Sequence, residues 1–163
     1  MAESRQRGLS EGDLRTSEPF EVFYRRSLAP MVRLAYLLTG GSAAAEELVQ
    51  DAFIRVHARW DRIENPTAYL RRAVVNQTAS HRRRVWLERR KGVEYRVEAV
   101  EQSVDELRDV VRALPYRQRA AVVLRYYADL PESEIAEALG CRVSAVKSLL
   151  YRAMNELREV VER

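Results

Sequence analysis

Cysteine is all but missing from this chain. The single Cys141 leaves no partner for an intramolecular disulfide and no set of thiolates for a zinc centre. Histidine is nearly as scarce: His57 and His81 fall on different helical segments, without a second ligand at metal spacing, and read as satisfied or solvated side chains. Six glycines and five prolines among 163 residues lie mostly between periodic stretches dominated by strong helix formers, which argues against strands and tight turns. No apolar run approaches the roughly 20 residues needed to cross a bilayer. Met1 to Ser10 lack the hydrophobic segment of a signal peptide. A cytoplasmic protein without membrane insertion is therefore expected. No nucleophile, base and orienting group occur together and no phosphate loop is present, so neither an enzyme nor a cofactor is expected. The fold class left standing is all-α.

What the chain does have is segregated charge. Its 28 basic and 24 acidic side chains nearly cancel, for a formal net charge of +4. Yet Arg82, Arg83, Arg84, Arg89, Arg90 and Lys91 form a basic stretch, while Glu46, Glu47 and Asp51 form an acidic one. Two different partners are implied.

Residues 1–16 are polar and aperiodic, the pattern of a mobile tail. A first helix is predicted from Ser17 as N-cap, with Glu18 and Pro19 in its first turn and an apolar stripe at Phe20, Phe23, Tyr24, Leu28, Met31, Val32, Ala35 and Leu38. Gly40 and Gly41 stop it. Ser42 is the predicted cap of a second helix, whose stripe runs Ala45, Leu48, Val49, Ala52, Phe53, Val56 and Trp60. After Pro66 a third helix is predicted from Thr67 to about Arg84, with Tyr69, Leu70, Ala73, Val74 and Gln77 inward. These three make one small domain, 17–85. Weakened periodicity around Gly92 marks a linker, 86–102, and a second domain, 103–163, opens with a capping box from Ser103 to Glu106. Its first helix ends at Leu114, before Pro115. The next, Tyr116 to Ala128, should bury Ala120, Val123, Leu124 and Tyr127.

The most informative stretch is Pro131 to Glu159, a short helix, a tight turn and a long helix. Ile135, Ala136 and Leu139 share one face, Gly140 stands where a left-handed residue is needed, Val143 fills the angle, and Ser144 caps the second helix, which buries Val146, Leu149, Leu150, Ala153 and Leu157. This is a helix-turn-helix. Its outer face carries Lys147, Ser148, Tyr151, Arg152 and Asn155, hydrogen-bonding and stacking groups suited to a major groove. Small Ala136, the Gly140 turn and the Ser144 cap agree with one another, which favours recognition over a merely solvated hairpin.

Along the third helix Arg72, Asn76, Ser80 and Arg83 fall on one side at spacings of four, four and three, bordered by Arg71, Thr78 and Arg82. Alone, this side reads equally as a phosphate track or a solvated face; a helix-turn-helix downstream tips it toward DNA. The second helix presents Glu46, Glu47, Gln50, Asp51 and Ile54, which would repel phosphates and suit a protein partner. Trp60 should close the core and Cys141 should be a small buried residue, whereas Trp86, beside the arginine run, is left between base stacking and no role.

These residues are similar to those of a known family. Ala45-Glu46-Glu47-Leu48-Val49-Gln50-Asp51-Ala52-Phe53-Ile54, then Trp60-Asp61, Tyr69-Leu70-Arg71-Arg72-Ala73-Val74-Val75-Asn76, Leu114-Pro115, Glu134-Ile135-Ala136 and Val146-Lys147-Ser148 resemble the extracytoplasmic-function sigma factors, in order and at family spacing. The resemblance implies a partner for each surface. Glu47, Gln50, Asp51 and Ile54 would dock on core RNA polymerase. Asp61, Arg62, Asn65, Tyr69, Arg72, Asn76, Ser80 and Arg83 would recognise and open the minus-ten promoter element, with Asn76 beside a pocket for an extruded base. Ser144, Lys147, Ser148, Tyr151, Arg152 and Asn155 would read the minus-thirty-five element. Tyr69 stands where many members carry tryptophan, and Leu149-Leu150-Tyr151 where a basic residue is common. An anti-sigma factor is expected as a further partner by resemblance only. The competing readings are a stand-alone helix-turn-helix regulator, which would bind a palindromic duplex without polymerase, and an all-α interaction protein, which would show no salt-dependent DNA binding.

Overall fold

The computed structural model describes residues 18–92 and 106–162, and every regular element in them is helical. In chain order these are α1 (Phe20–Thr39), α2 (Ser42–Ala58), a 3-10 turn (Trp60–Arg62), α3 (Pro66–Arg90), α4 (Glu106–Ala113), α5 (Tyr116–Val122) continuing as a π turn (Val123–Tyr127), α6 (Glu132–Leu139) and α7 (Val143–Val161). None of these helices is long and apolar enough to cross a membrane.

The first three helices pack as their stripes predict. Phe23, Leu34, Ala35 and Leu38 of α1 meet Ala45, Val49, Ala52, Phe53 and Val56 of α2 and Leu70, Val74 and Val75 of α3, all buried. One end is closed by aromatic rings: Trp60 lies 5.3 Å from Phe20 and 5.1 Å from Phe23 between centroids, and Phe53 contacts Phe20, Phe23 and Tyr24. Each buried Phe contributes about 1.5–3 kcal/mol by leaving water. Trp60 thus closes the core. Buried Gln77, its amide turned so that the nitrogen faces the Leu48 carbonyl (3.3 Å) and the oxygen the Ala52 N–H (3.2 Å), ties α3 to α2.

Helix ends depart from prediction in several places. α1 starts at Phe20 with Pro19 in the N-cap position and no side-chain cap; Ser17 lies outside the described residues, as does Ser103 of the predicted capping box. Glu18 instead pairs with Arg26 at 2.7 Å, which draws its carboxyl below the ordinary value. Ser42 is the first residue of α2 rather than its cap, a place taken by Gly41. Pro30 is accommodated inside α1 on an exposed side, where the Arg26 carbonyl that loses its helical donor can be hydrated. α3 runs six residues past the predicted end, because nothing between Arg84 and Arg90 breaks a helix and the strong helix formers Leu87, Glu88, Arg89 and Arg90 carry it on. The part of the predicted linker that is described is therefore helical up to Arg90.

Between α5 and the loop before α6 the backbone widens into a π turn, which shifts the register by one residue. Tyr127, predicted to be buried, is 43% exposed, while Ala120, Val123, Leu124 and Leu130 are inside. Past this point α6 and α7 are joined through Gly140, which has φ 61° and ψ 41°, the left-handed conformation its position demands. Arg142 stands at the N-cap of α7, so Ser144 is the second helical residue and caps nothing; Val143 is exposed rather than filling the angle. Val146, Ala153 and Leu157 are buried, Leu149 and Leu150 half-buried, and Cys141 half-buried.

The second group of helices sits on the first. Leu124, Ile135, Ala136, Ala138 and Val146 join one continuous apolar cluster with the α1–α3 core. Polar contacts fasten the junction. Arg119, 5% exposed, donates from Nη1 to the Leu38 carbonyl at the end of α1 (3.0 Å) and from Nη2 to the carbonyls of Leu114 (3.2 Å) and Arg112. The Tyr116 hydroxyl donates to the Val75 carbonyl (2.9 Å) and lies 2.6 Å from Thr78 Oγ1. Arg71 pairs with Glu134 at 3.3 Å, and Arg108 covers the ring of Tyr36 at 4.6 Å. Burial, with Arg82 and Arg112 nearby, lowers the Arg119 pKa to about 10, still charged at neutral pH.

Candidate nucleic-acid interface

Three surfaces carry the side chains singled out from sequence. On α2 the inward stripe forces Glu46, Glu47, Gln50, Asp51 and Ile54 to the solvent side, and Ile54 is 65% exposed. Gln50 Nε2 donates to the Tyr24 hydroxyl (3.1 Å), so this member of the face is held against α1.

On α3 the opposite side from the buried Leu70, Val74, Val75 and Gln77 presents Arg72, Asn76, Ser80 and Arg83, all exposed at the predicted spacing. Asp61 and Arg62 are exposed on the 3-10 turn that leads to this helix. Asn65 caps α3: its Oδ1 accepts the Ala68 N–H at 3.0 Å, with Pro66 at the first helical position where a missing N–H is harmless. Tyr69 is half-buried against the core. The flanking residues differ from expectation. Thr78 is fully buried and bonded to Tyr116, Arg71 is engaged by Glu134, and Arg82 lies 5.5 Å from the Tyr116 ring, because α5 and α6 cover that side of the helix.

A surface groove of about 360 Å³ runs between α2 and α3 and is lined by Glu47, Asp51, Arg55, Asn76, Ser80, His81 and Arg84 among others, so the face of α2 and the stripe of α3 share a border. Burial, and the Arg84 charge, push the His81 pKa below the ordinary histidine value, keeping the ring neutral at physiological pH. A second cleft, about 420 Å³, lies between Asn65, Thr67, Ala68 and Arg71 at the start of α3 and Glu134, Glu137 and Ala138 of α6.

On α7 Ser144, Lys147, Ser148, Tyr151 and Arg152 are exposed and Asn155 is half-buried. Lys147 stands 3.9 Å from Glu132, a solvent-exposed pair of small energetic weight. Ser148 Oγ donates to the Ser144 carbonyl (3.1 Å). α6 behind and Gly140 at the turn set the angle at which α7 projects.

The Sigma-70 region 2 family matches residues 23–88 and the Sigma-70, region 4 family matches residues 105–157. The RNA polymerase sigma-E factor of Streptomyces avermitilis is 34% identical over 157 residues, covering 88% of this chain and 85% of its own length. The chain belongs to the extracytoplasmic-function sigma-70 family. As an RNA polymerase sigma factor it directs transcription initiation and is not an enzyme. The sigma-E factor of Streptomyces coelicolor is similarly related, at 36% identity over 154 residues, 86% of this sigma factor and 84% of that one. Among solved structures, the sigma factor RpoE from Bartonella quintana, crystallised with the anti-sigma factor NepR, shares the fold with a TM-score of 0.73 at 24% identity, covering 88% of this chain and 96% of that one.

Arg119, Tyr116 and the Arg71–Glu134 pair were not singled out from the sequence. Arg119 directly precedes the buried Ala120, and nothing in residue type separates a buried arginine from the many exposed ones. Only the carbonyls it meets reveal its place.

Proposed function

We propose that this sigma factor divides its work among the three surfaces. Glu47, Gln50, Asp51 and Ile54 of α2 dock on core RNA polymerase. The 3-10 turn and α3, through Asp61, Arg62, Asn65, Tyr69, Arg72, Asn76, Ser80 and Arg83, recognise and open the minus-ten element. Ser144, Lys147, Ser148, Tyr151, Arg152 and Asn155 of α7 read the minus-thirty-five element in the major groove. The observation that carries the division is the border between α2 and α3, where a face bearing Glu46, Glu47 and Asp51 lies directly beside the stripe of Arg72, Asn76, Ser80 and Arg83 on one packed core. A surface so split suits a protein on one side and a nucleic acid on the other. Work on the chromosome places the protein in the cytoplasm. An anti-sigma factor is proposed as a further partner, supported by the fold shared with the NepR-bound sigma factor.

Run-off transcription with purified core polymerase and promoters selected from random sequence tests this reading. Promoter-specific transcripts that require both elements are expected, and Asp51→Arg should weaken core binding about tenfold or more without altering the circular dichroism of the free protein. Absence of initiation on any template overturns the reading; unchanged core affinity in Asp51→Arg overturns the docking assignment.

A further inference from the structure

Past Arg83, the far end of α3 serves none of these roles. The helix has 25 residues, about 37 Å at 1.5 Å each, but its last buried residue is Thr78. From Ala79 to Arg90, about 18 Å by the same rise, every residue is half-buried or exposed. Between Arg82 and Lys91 lie Arg82, Arg83, Arg84, Arg89, Arg90 and Lys91 against the single acid Glu88. Two of these turn back, Arg82 onto Tyr116 and Arg84 to His81, where its Nη2 lies 3.4 Å from Nδ1. The others project. In their midst Trp86 is 54% exposed and Leu87 44%, with the Arg90 guanidinium 4.8 Å from the indole centroid.

Two features point to one ligand. The stripe Arg72, Asn76, Ser80 and Arg83 continues without a break, because Leu87 and Arg90 follow Arg83 at spacings of four and three and Trp86 lies beside them. A strand of DNA lying on the first part of the stripe is thereby led onto the second. An exposed indole among cations also suits a molecule that offers negative charge and flat faces together at every step, as nucleic acid does. From Ser80 to Arg90 the track is about 15 Å long, room for roughly four nucleotides at 3.4 Å per step.

We propose that the projecting end of α3 is a second DNA contact. Arg89, Arg90 and Lys91 neutralise phosphates flanking the minus-ten element, and Trp86 supports a sugar or base face of the same strand. The assignment rests on the α3 reading above and extends it by two helical turns. Its ligand chemistry, phosphate plus a flat face, is offered both by single-stranded DNA in the opened region and by the duplex at its edge.

The test uses the full chain assembled with core polymerase and measures promoter-complex affinity against salt. One template is fully duplex around the minus-ten element, and the other carries it as a single strand. The exposed triple variant Arg89→Ala/Arg90→Ala/Lys91→Ala, which keeps helix-forming residues, should lower the log–log salt slope by about two, at roughly 0.7–0.9 per phosphate. Trp86→Ala should cost about tenfold in affinity, toward the lower end of the range for a stacked base, with the slope unchanged. Loss confined to one template names the strand state that is bound, and either result supports the proposal. A triple variant with the wild-type slope on both templates overturns it, as does a loss of core binding measured without DNA while the slope stays fixed. Wild-type initiation combined with an unaltered slope sinks this proposal alone, whereas absence of wild-type initiation sinks the reading beneath it.

Discussion

The two halves of this sigma factor reach a packed interior by different means. The amino-terminal half uses large side chains: Phe23, Leu34, Leu38, Phe53 and Leu70 fill the space between three long helices, with Trp60 and Phe20 at one end. The carboxy-terminal half is built from short helices and the longer α7, buries Ala120, Ala121, Ala136, Ala138 and Ala153 beside Leu124, Ile135 and Val146, and adds a buried arginine and a bonded tyrosine at its base. Apolar packing dominates the first half. In the second, apolar packing is joined by polar groups that land on the first.

That contrast can be broken from either side. The largest effect is expected from Phe23→Ala, which empties the aromatic end of the core and should cost about 3–5 kcal/mol, read as a shift of the urea midpoint with the slope unchanged. Arg119→Ala should cost less, about 3 kcal/mol, because it leaves the carbonyls of Leu38, Arg112 and Leu114 without their donor. Hydrogen exchange should then rise first in α4 to α7 while α1 to α3 stay protected, and uniform loss across both halves would refute the division. The smallest effect is expected at His81. Its folded-state pKa is lowered, first by burial and then by Arg84, so the unfolded chain binds the proton more readily. Stability should decline as pH falls below the unfolded value of about 6.5, toward the lower folded one, and His81→Gln should flatten that part of the profile. A profile identical to wild type would show that burial of the ring has no energetic consequence.

Much of this architecture can be read before any coordinates. Long amphipathic stripes announce α1, α2 and the first half of α3, since burying one face leaves little freedom in register, and the same logic exposes Glu47, Asp51, Asn76 and Arg83. Gly140 foretells its turn because few other residues adopt positive φ. The misses have physical causes too. A cap is decided by backbone geometry within one residue, so Ser42 and Ser144 look like caps while Gly41 and Arg142 occupy the positions. The π turn moves Tyr127 outward without a mark in composition. Tertiary contact, absent from any local window, converts Thr78 from a flanking polar residue into a buried partner of Tyr116 and makes Arg119 part of the interior.

The bond from Arg119 to the Leu38 carbonyl also has a meaning in time. Its two ends are 81 residues apart in a chain synthesised from the amino terminus. The acceptor, at the end of α1, belongs to a unit whose core residues Phe23 to Val75 have all been made before Arg119 is added. The later half thus docks on a surface already available, and its buried side chains, Leu124, Ile135 and Val146 among them, need not find their place alone.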